Sequence, residues 1–481
     1  MLKKYDISYD GGSMNKKFLI NILFLLFLFL LFFASIITRE LYNLDEIWNF
    51  NFARNVANGL IPYNDFNMVQ TPLMAIFNGI LLKTFGINLV VFRVIAALLG
   101  SAIIFLSFKI LKKLNVNNIL SLISSVFLFL YIKNGYYLDY NYMNLFITLI
   151  IIYLELNSKK TIKYNILVGF LASLTILFKQ STGLFICVIT CSYILINNLN
   201  KDTFKLFLYR VIGAIIPIII LFIYLMFTNS LASFIDYAIL GIKTFTNSIS
   251  YKNILNINPI LGILVPLFIL YFLISGIKNN NKNNLILGVF SLASFIVIYP
   301  IADMIHFKTA SFITILGIVY LMFINIKLNK NIVYITSTII FIPLVIFIIT
   351  RFNYYINTQK SELLYFYNIP INKDVEKNIL LVDEFIKKQE KDVYILDADA
   401  SLYMIPLNRY NKNYDLFLKG NLGNTTISKE IEKINNMENV LFLVKSEGYE
   451  LNWQMPVEVV DFVRNNLKNV GTIYIFDIYE K

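Results

Sequence analysis

Histidine occurs once in the 481 residues, at His306, and cysteine twice, at Cys187 and Cys191. That scarcity excludes a His/Cys zinc centre and a disulfide framework. The two cysteines lie four apart in one apolar run, where helical spacing puts them on one face as packing residues. Charge is scarce as well, at 15% of residues, while 57% are hydrophobic and the mean hydropathy is +0.65. A chain of this size has too little polar surface to be soluble, so most of it faces lipid. Acids are outnumbered by bases, 30 to 42, for a net charge of +12. The basic residues sit in short clusters between apolar runs, which reads as anchoring of cytoplasmic loops, and nucleic acid is not expected as a partner.

Apolar runs predict about eleven spans, near 18–38, 88–111, 117–133, 140–157, 163–178, 183–199, 208–228, 258–276, 284–300, 309–326 and 331–350. The first is too long for a cleaved signal core and reads as a retained anchor. Lys3, Lys4, Lys16 and Lys17 precede it. Lys112–Lys113, Lys159–Lys160–Lys163, Lys201–Lys205–Arg210, Lys278–Lys282 and Lys327–Lys330 fall on one set of alternate connections. The positive-inside rule puts that set and the N-terminus in the cytoplasm, and an odd number of spans puts the C-terminal region outside. Thr71 to Phe85 is apolar but short and contains Lys83, so it reads as an interfacial helix, as does Glu46 to Gly59.

This topology collects Asp45, Glu46, Asp65, Asp139, Lys179, Gln180, Asp303, His306, Lys308 and Arg351 at the outer face. Ionisable groups at membrane depth are costly, and their gathering on one side is what a site at the outer leaflet requires. The adjacent acids Asp45 and Glu46 suit proton transfer or metal binding, although acids also cap helices. Asp139 could likewise cap a span, Lys179 and Arg351 could snorkel to headgroups, and Asp65 could order its own loop. Beyond residue 351 charge rises. Val393–Leu396, Val440–Val444 and Thr472–Phe476 read as strands, and 376–390, 427–436 and 457–467 as helices, giving a small α/β domain. The GxxG at Gly420–Gly423 lacks the residues of a phosphate loop.

The pattern resembles the GT-C superfamily of polytopic glycosyltransferases, in its protein mannosyltransferase and aminoarabinose transferase-like (family 39-like) branch. The resemblance rests on Asp45–Glu46 after the first span, on Gly59-Leu60-Ile61-Pro62-Tyr63-Asn64-Asp65-Phe66, on Thr71-Pro72-Leu73, and on Arg93 early in the second span. It covers residues 18–350 and implies a transmembrane glycosyltransferase domain over 1–351, with a catalytic first outer loop at 39–87. Residues 352–481 form the extracytoplasmic α/β domain. The resemblance gives Asp45, with its neighbour Glu46, the catalytic role. It places Lys179–Gln180 near the lipid phosphate, and matches Asp303 and His306 loosely.

The implied reaction moves a hexose or pentose from a polyprenyl-phosphate donor to an acceptor hydroxyl on a glycan, lipid or protein. Phosphate leaves without a strong acid but needs cations or donors for its charge, and the acceptor needs one base. Inversion by direct displacement therefore requires one carboxylate, for which Asp45 is the candidate. Lys179 and Arg351 are candidate phosphate partners, with His306 and Lys308 behind them, and Asp65, Asp139, Gln180 and Asp303 as further substrate contacts. No cofactor is expected, the alternative being a divalent ion on Asp45, Glu46 and Asp139. The Ile, Asn, Lys and Phe content points to an AT-rich bacterial genome, hence undecaprenyl phosphate as carrier. The rival reading is a transporter or flippase of envelope precursors, which calls for mid-span charges and internal repeats.

Overall fold

The computed structural model describes residues 11–41, 44–136, 138–157, 161–196, 200–244, 249–326, 330–424, 427–446 and 455–481. Lys3, Lys4, Lys159, Lys160 and Lys327 lie outside them. Helix α1 (Gly11–Ile37) is followed by α2 (Leu44–Ala57) and α3 (Leu73–Phe85) in the first loop. A bundle then runs through α4 (Leu89–Lys113), α5 (Asn118–Ile132), α6 (Tyr140–Glu155), α7 (Ile162–Phe178), α8 (Gln180–Ile196) and α9 (Lys201–Phe227). Short α10 (Leu231–Phe234) and α11 (Lys252–Ile257) precede α12 (Pro259–Lys278), α13 (Lys282–Phe295), α14 (Met304–Phe323) and α15 (Lys330–Asn357).

Among the described residues six helices are long and apolar enough to cross a membrane: Phe18–Ile37, Leu89–Lys113, Lys201–Phe227, Pro259–Lys278, Met304–Phe323 and Thr338–Asn357. The other five expected spans are helices too, but of only 14 to 17 residues. The chain is thus a multi-pass helical membrane protein. Helix α3, with 13 residues, reaches only about 20 Å and leaves Phe77, Ile80 and Phe85 exposed along one side.

Side-chain caps start most of these helices. Asn88, Asn117, Asp139, Thr161, Asn200, Asn258, Asn281 and Asp303 each accept a hydrogen bond from a first-turn backbone N–H that the helix itself leaves unpaired. Small residues then let the helices touch. A Cβ on Gly169 of α7 would lie 1.9 Å from the Arg210 carbonyl oxygen of α9, so those two backbones meet directly.

The two ends of the bundle can be told apart by their hydrogen bonds. Arg39, just past α1, donates to the carbonyl oxygens of Lys133 and Tyr136 beyond the end of α5, and Arg93 near the start of α4 donates to the Arg39 oxygen (2.7 Å). At the opposite end, Lys113 of α4 donates to the Tyr153 oxygen near the end of α6 (3.0 Å).

Past α15 come α16 (Lys373–Lys387), β1 (Asp392–Ile395), α17 (Ala400–Met404), α18 (Ile427–Asn435), β2 (Val440–Lys445), α19 (Val457–Asn466), β3 (Lys468–Ile473) and β4 (Phe476–Glu480). The sheet order is β1-β2-β4-β3, with β1 and β2 parallel and the other pairs antiparallel. The strand expected at Thr472–Phe476 is instead a hairpin turn. Tyr474 takes φ 54° between β3 and β4, and its exposed ring leaves the chain free to reverse there.

This region packs on the Arg39 end of the bundle and grips α2. Trp48 Nε1 donates to the Ala398 oxygen (2.9 Å), Arg54 to the Arg409 oxygen (2.7 Å) and Asn55 Nδ2 to Asp415 Oδ2 (3.2 Å). Helix α2 is therefore not the interfacial element expected from Trp48, Phe50 and Phe52. Phe50, Asn51, Ala53, Arg54 and Asn55 are all buried: Phe50 packs against Phe92 and Phe366, Ala53 against Gly79 of α3, and Arg54 and Asn55 bond to residues 405–415.

Candidate functional site

Lys179 occupies the one-residue break between α7 and α8, with extended backbone (φ −153°, ψ 113°). The break is tight: a Cβ on Gly183 would lie 2.2 Å from the Thr175 carbonyl, so glycine there lets α8 start against the last turn of α7. The Lys179 ammonium donates to Asn141 Oδ1 (2.9 Å) and stands 4.8 Å from the Tyr140 ring centre. Both partners sit in the first turn of α6, directly after Asp139.

Asp139 is buried and caps α6, its Oδ1 accepting from the Tyr142 N–H at 2.8 Å. Asp303 caps α14, accepting at one oxygen from the His306 N–H (2.8 Å) and meeting the His306 Nδ1 at 2.9 Å. Asp45 comes from the first turn of α2.

Asp45, Asp139, Lys179 and His306 meet at two cavities that share Gln70, Tyr140 and His306, while Asp303 lines neither and stands behind His306. The larger, about 190 Å³, adds Lys179 and Gln180 on one side and Ile242, Tyr299, Pro300 and Ile301 on the other. The smaller, about 20 Å³, adds Asp45, Trp48, Asn49, Phe52 and Asp139. The result is one recess with a charged end and an apolar wall.

Burial pushes the Asp139 carboxyl above the usual carboxylate range; the Tyr142 N–H opposes this, Asp45 adds to it, and Lys179 and His306 oppose it. Burial pulls the Lys179 ammonium below the usual lysine range, against the pull of Asp139, Asp303 and Asp45. Burial would raise Asp303, but His306 outweighs it and holds the acid below its ordinary value. The recess therefore holds an acid of raised proton affinity, Asp139, and a lysine that a bound anion would help to keep charged, with the acid of lowered affinity, Asp303, behind His306.

Four expected site residues do something else. Glu46 forms a buried fork with Arg93, Oε1 to Nε at 3.0 Å and Oε2 to a terminal nitrogen at 2.7 Å, which fastens α2 to α4. Asp65 is exposed and accepts from the Ile61 N–H at 2.7 Å, ordering its own loop. Arg351 lines neither cavity; its guanidinium lies 5.4 Å from the centre of the Phe347 ring. Lys308 is also absent from both linings and stands beside Gly135. Gln180 lines the larger cavity and also ties the Val69 oxygen (2.7 Å) to the Ala238 oxygen (2.9 Å).

With Glu46 taken by Arg93, the trio Asp45, Glu46 and Asp139 does not converge on one ion. Among the described residues no group of three His, Cys, Asp or Glu does so.

Asn141, Tyr140 and Tyr299–Pro300 were not singled out from the sequence, and Trp48 only as an interfacial residue. Position next to Asp139 was the available signal for the first two, and the aromatic-proline pair that closes the ninth apolar run for the last.

No family model matches the chain, and no curated protein matches it. Solved structures do. ArnT from Cupriavidus metallidurans bound to undecaprenyl phosphate aligns with a TM-score of 0.61 at 10% identity, over 95% of this chain and 97% of that one. Its apo state gives 0.60 at 10% identity, over 97% and 98%. An Archaeoglobus fulgidus oligosaccharyltransferase tethered with an acceptor peptide gives 0.45 at 11%, over 88% of this chain and 69% of that one. The ArnT alignments span nearly the whole of both chains, and what they establish is the architecture: this chain has the GT-C fold.

Proposed function

We propose that the chain is a membrane glycosyltransferase that moves a sugar from a polyprenyl-phosphate donor to an extracytoplasmic acceptor hydroxyl with inversion. The observation that carries this reading is the recess itself. A first-loop carboxylate and a half-buried lysine, 134 residues apart in sequence, line two cavities that share Gln70, Tyr140 and His306, beside an apolar wall. The fold adds support, since a protein with this architecture has been solved with undecaprenyl phosphate bound.

In the reaction the acceptor oxygen attacks the anomeric carbon and its proton passes to Asp45. The bond from that carbon to the phosphate oxygen breaks, and polyprenyl phosphate departs with one more negative charge than it had as a diester. Lys179 stands where that charge develops, with His306 across the same recess, and a fixed cation in a poorly solvated site stabilises it more than water would. The first isoprene units lie against Ile242, Tyr299, Pro300 and Ile301. Asp139 and Asn141 hold the Lys179 ammonium in place. The lysine-rich turns face the cytoplasm with the N-terminus, and the recess and the C-terminal region face outward.

Asp45→Asn tests this directly, in membranes supplied with a polyprenyl-phosphate sugar. Donor binding should persist while transfer falls by about 10²- to 10⁴-fold, the usual worth of a general base. Transfer at the original rate would remove Asp45 from the mechanism. Single cysteines placed at 45 and at 179, labelled from one side only, check the shared sidedness.

A further inference from the structure

The C-terminal region grips a second element besides α2. After α10 the chain winds as a π-helix over Ile235–Leu240 and as a 3₁₀-helix over Gly241–Thr244. π-Helical turns are rare and concentrate at functional sites. This segment reaches the recess twice. Ile242 lines the larger cavity, and the Ala238 oxygen accepts from Gln180 Nε2 at 2.9 Å, one residue from Lys179.

Residues 416–423 hold the segment from the C-terminal region. Leu416 and Leu418 are buried in one apolar cluster with Ala238 and with Phe52, which lines the smaller cavity. Thr244 Oγ1 donates to the Lys419 oxygen at 3.1 Å. Gly423 takes φ 74°, and a Cβ there would fall on the Asp236 carboxylate and 2.9 Å from the Tyr237 ring. A Cβ on Gly241 would lie 3.1 Å from the Gly423 Cα, so glycine on both sides lets the two backbones touch.

We propose that residues 416–423 are a positioning element for the donor lipid: by closing on 235–244 they set the Ile242 side of the larger cavity and, through Ala238 and Gln180, the surroundings of Lys179. The inference rests on the reading of that cavity as the seat of the phosphate and first isoprene units. Residues 416–423 line neither cavity of the recess, so they act through the segment they hold. A gap of about 0.5 Å forfeits roughly a quarter of a contact's attraction, so a wall moved off its place loses its hold on the chain it faces.

Titration of the purified full chain with undecaprenyl phosphate, read by native mass spectrometry, tests it. Gly241 has an ordinary helical φ of −62°, so a side chain added there is a wedge at the joint without backbone strain. Gly241→Ala should weaken binding about 4-fold, the worth of one methylene's contact, and Gly241→Val should weaken it further. Gly276→Ala is the control. Its Cβ would lie 2.6 Å from the Leu285 backbone where α12 meets α13, so it should lower the thermal midpoint and leave the lipid affinity unchanged. Thr244→Val removes the link to Lys419 without added bulk; it serves if the Gly241 variants do not fold, and should weaken binding about 2- to 10-fold. Equal weakening by Gly276→Ala and Gly241→Ala overturns the positioning role. Unchanged affinity in the folded Gly241 or Thr244 variants also overturns it, and leaves the proposed reaction standing. An unmodified chain that takes up no undecaprenyl phosphate overturns both.

Discussion

Two buried arginine–glutamate pairs stand at opposite ends of the bundle. Glu46–Arg93 (2.7 Å) lies beside the recess, and Glu155–Arg210 (2.6 Å) lies at the other end of α6, roughly 24 Å away along its 16 residues. Arg210 is further held by Asn165 Oδ1 (2.9 Å) and the Thr190 oxygen (2.7 Å), so four helices converge on one guanidinium. Arg93 likewise takes both Glu46 oxygens and a backbone carbonyl. At the first end a second carboxylate, Asp45, lines a cavity that shares residues with the one lined by Lys179. A matched charge pair with no adjoining space ties helices together. An acid and a cation that share a recess and several partial partners are arranged for a visitor. The charge on Arg210 is closed on Glu155 and lines neither cavity of the recess.

The sharpest way to break this comparison is to remove one charge at each end. Arg210→Met strands a buried carboxylate and should destabilise the fold by about 3–5 kcal/mol, seen as a lower thermal midpoint in detergent. The molecules that remain folded should transfer sugar at the original rate. Adding Glu155→Leu should recover most of the lost stability, since the pair is worth little more than well-packed apolar side chains. Lys179→Met should do the opposite. The thermal midpoint should hold, because a desolvated cation is being removed, while transfer falls by about 10²- to 10³-fold. If Lys179→Met lowers the midpoint as Arg210→Met does and leaves the rate intact, the two ends do not differ in kind.

The sequence made one end more legible than the other. Apolar runs of span length betray helices wherever they occur, and the caps at Asp139 and Asp303 are where an acid before an apolar run suggests. What could not be read was which acid of an adjacent pair faces the cavity. Consecutive helical residues point about 100° apart, so Asp45 and Glu46 cannot share a partner, and the choice is made by Arg93, 47 residues on. The gathering of Asp45, Asp139, Lys179 and His306 followed from counting spans, since helix ends of one parity share a side. The departure of Arg351 did not follow, because parity gives the side and says nothing of the position around the bundle. In the C-terminal region Thr472–Phe476 concealed a turn, since an unbroken apolar pattern carries no signal for a reversal at a tyrosine.

A smaller effect should separate the C-terminal region from the bundle by pH. Asp397 follows β1, is fully buried, and lies 3.3 Å from the Lys445 ammonium, which also meets Asp399 at 2.9 Å. Burial first and Asp399 second push its carboxyl up to about 7, with Lys445 opposing. An ordinary aspartate sits at 3.8, so between these values the folded state binds more protons than the unfolded state. The stability of this region should therefore fall as pH rises through that window and level off above about 7. Asp397→Asn should reduce the dependence, leaving the part carried by Asp383 of α16, whose carboxyl is also pushed up to about 7 by burial. A thermal midpoint that rises from pH 5 to pH 7 in the unmodified chain would contradict the sign.

The finest test compares one hydrogen bond at each end. Trp48→Phe keeps an aromatic side chain but removes the five-membered ring and its 2.9 Å bond to the Ala398 oxygen, the bond alone costing about 0.5–1.5 kcal/mol. Trp48 lies one turn along α2 from Asp45 and lines the same cavity, so the loosened helix should slow transfer several-fold while the donor concentration for half-maximal rate barely moves. Asn165→Ala removes the 2.9 Å bond to Arg210 at similar cost. It should appear in the thermal midpoint alone, because what it loosens is a strut far from any reacting atom. A rate loss from Asn165→Ala as large as that from Trp48→Phe would mean that the far ion pair sets the geometry of the recess, and the division between a chemical end and a structural end would fail.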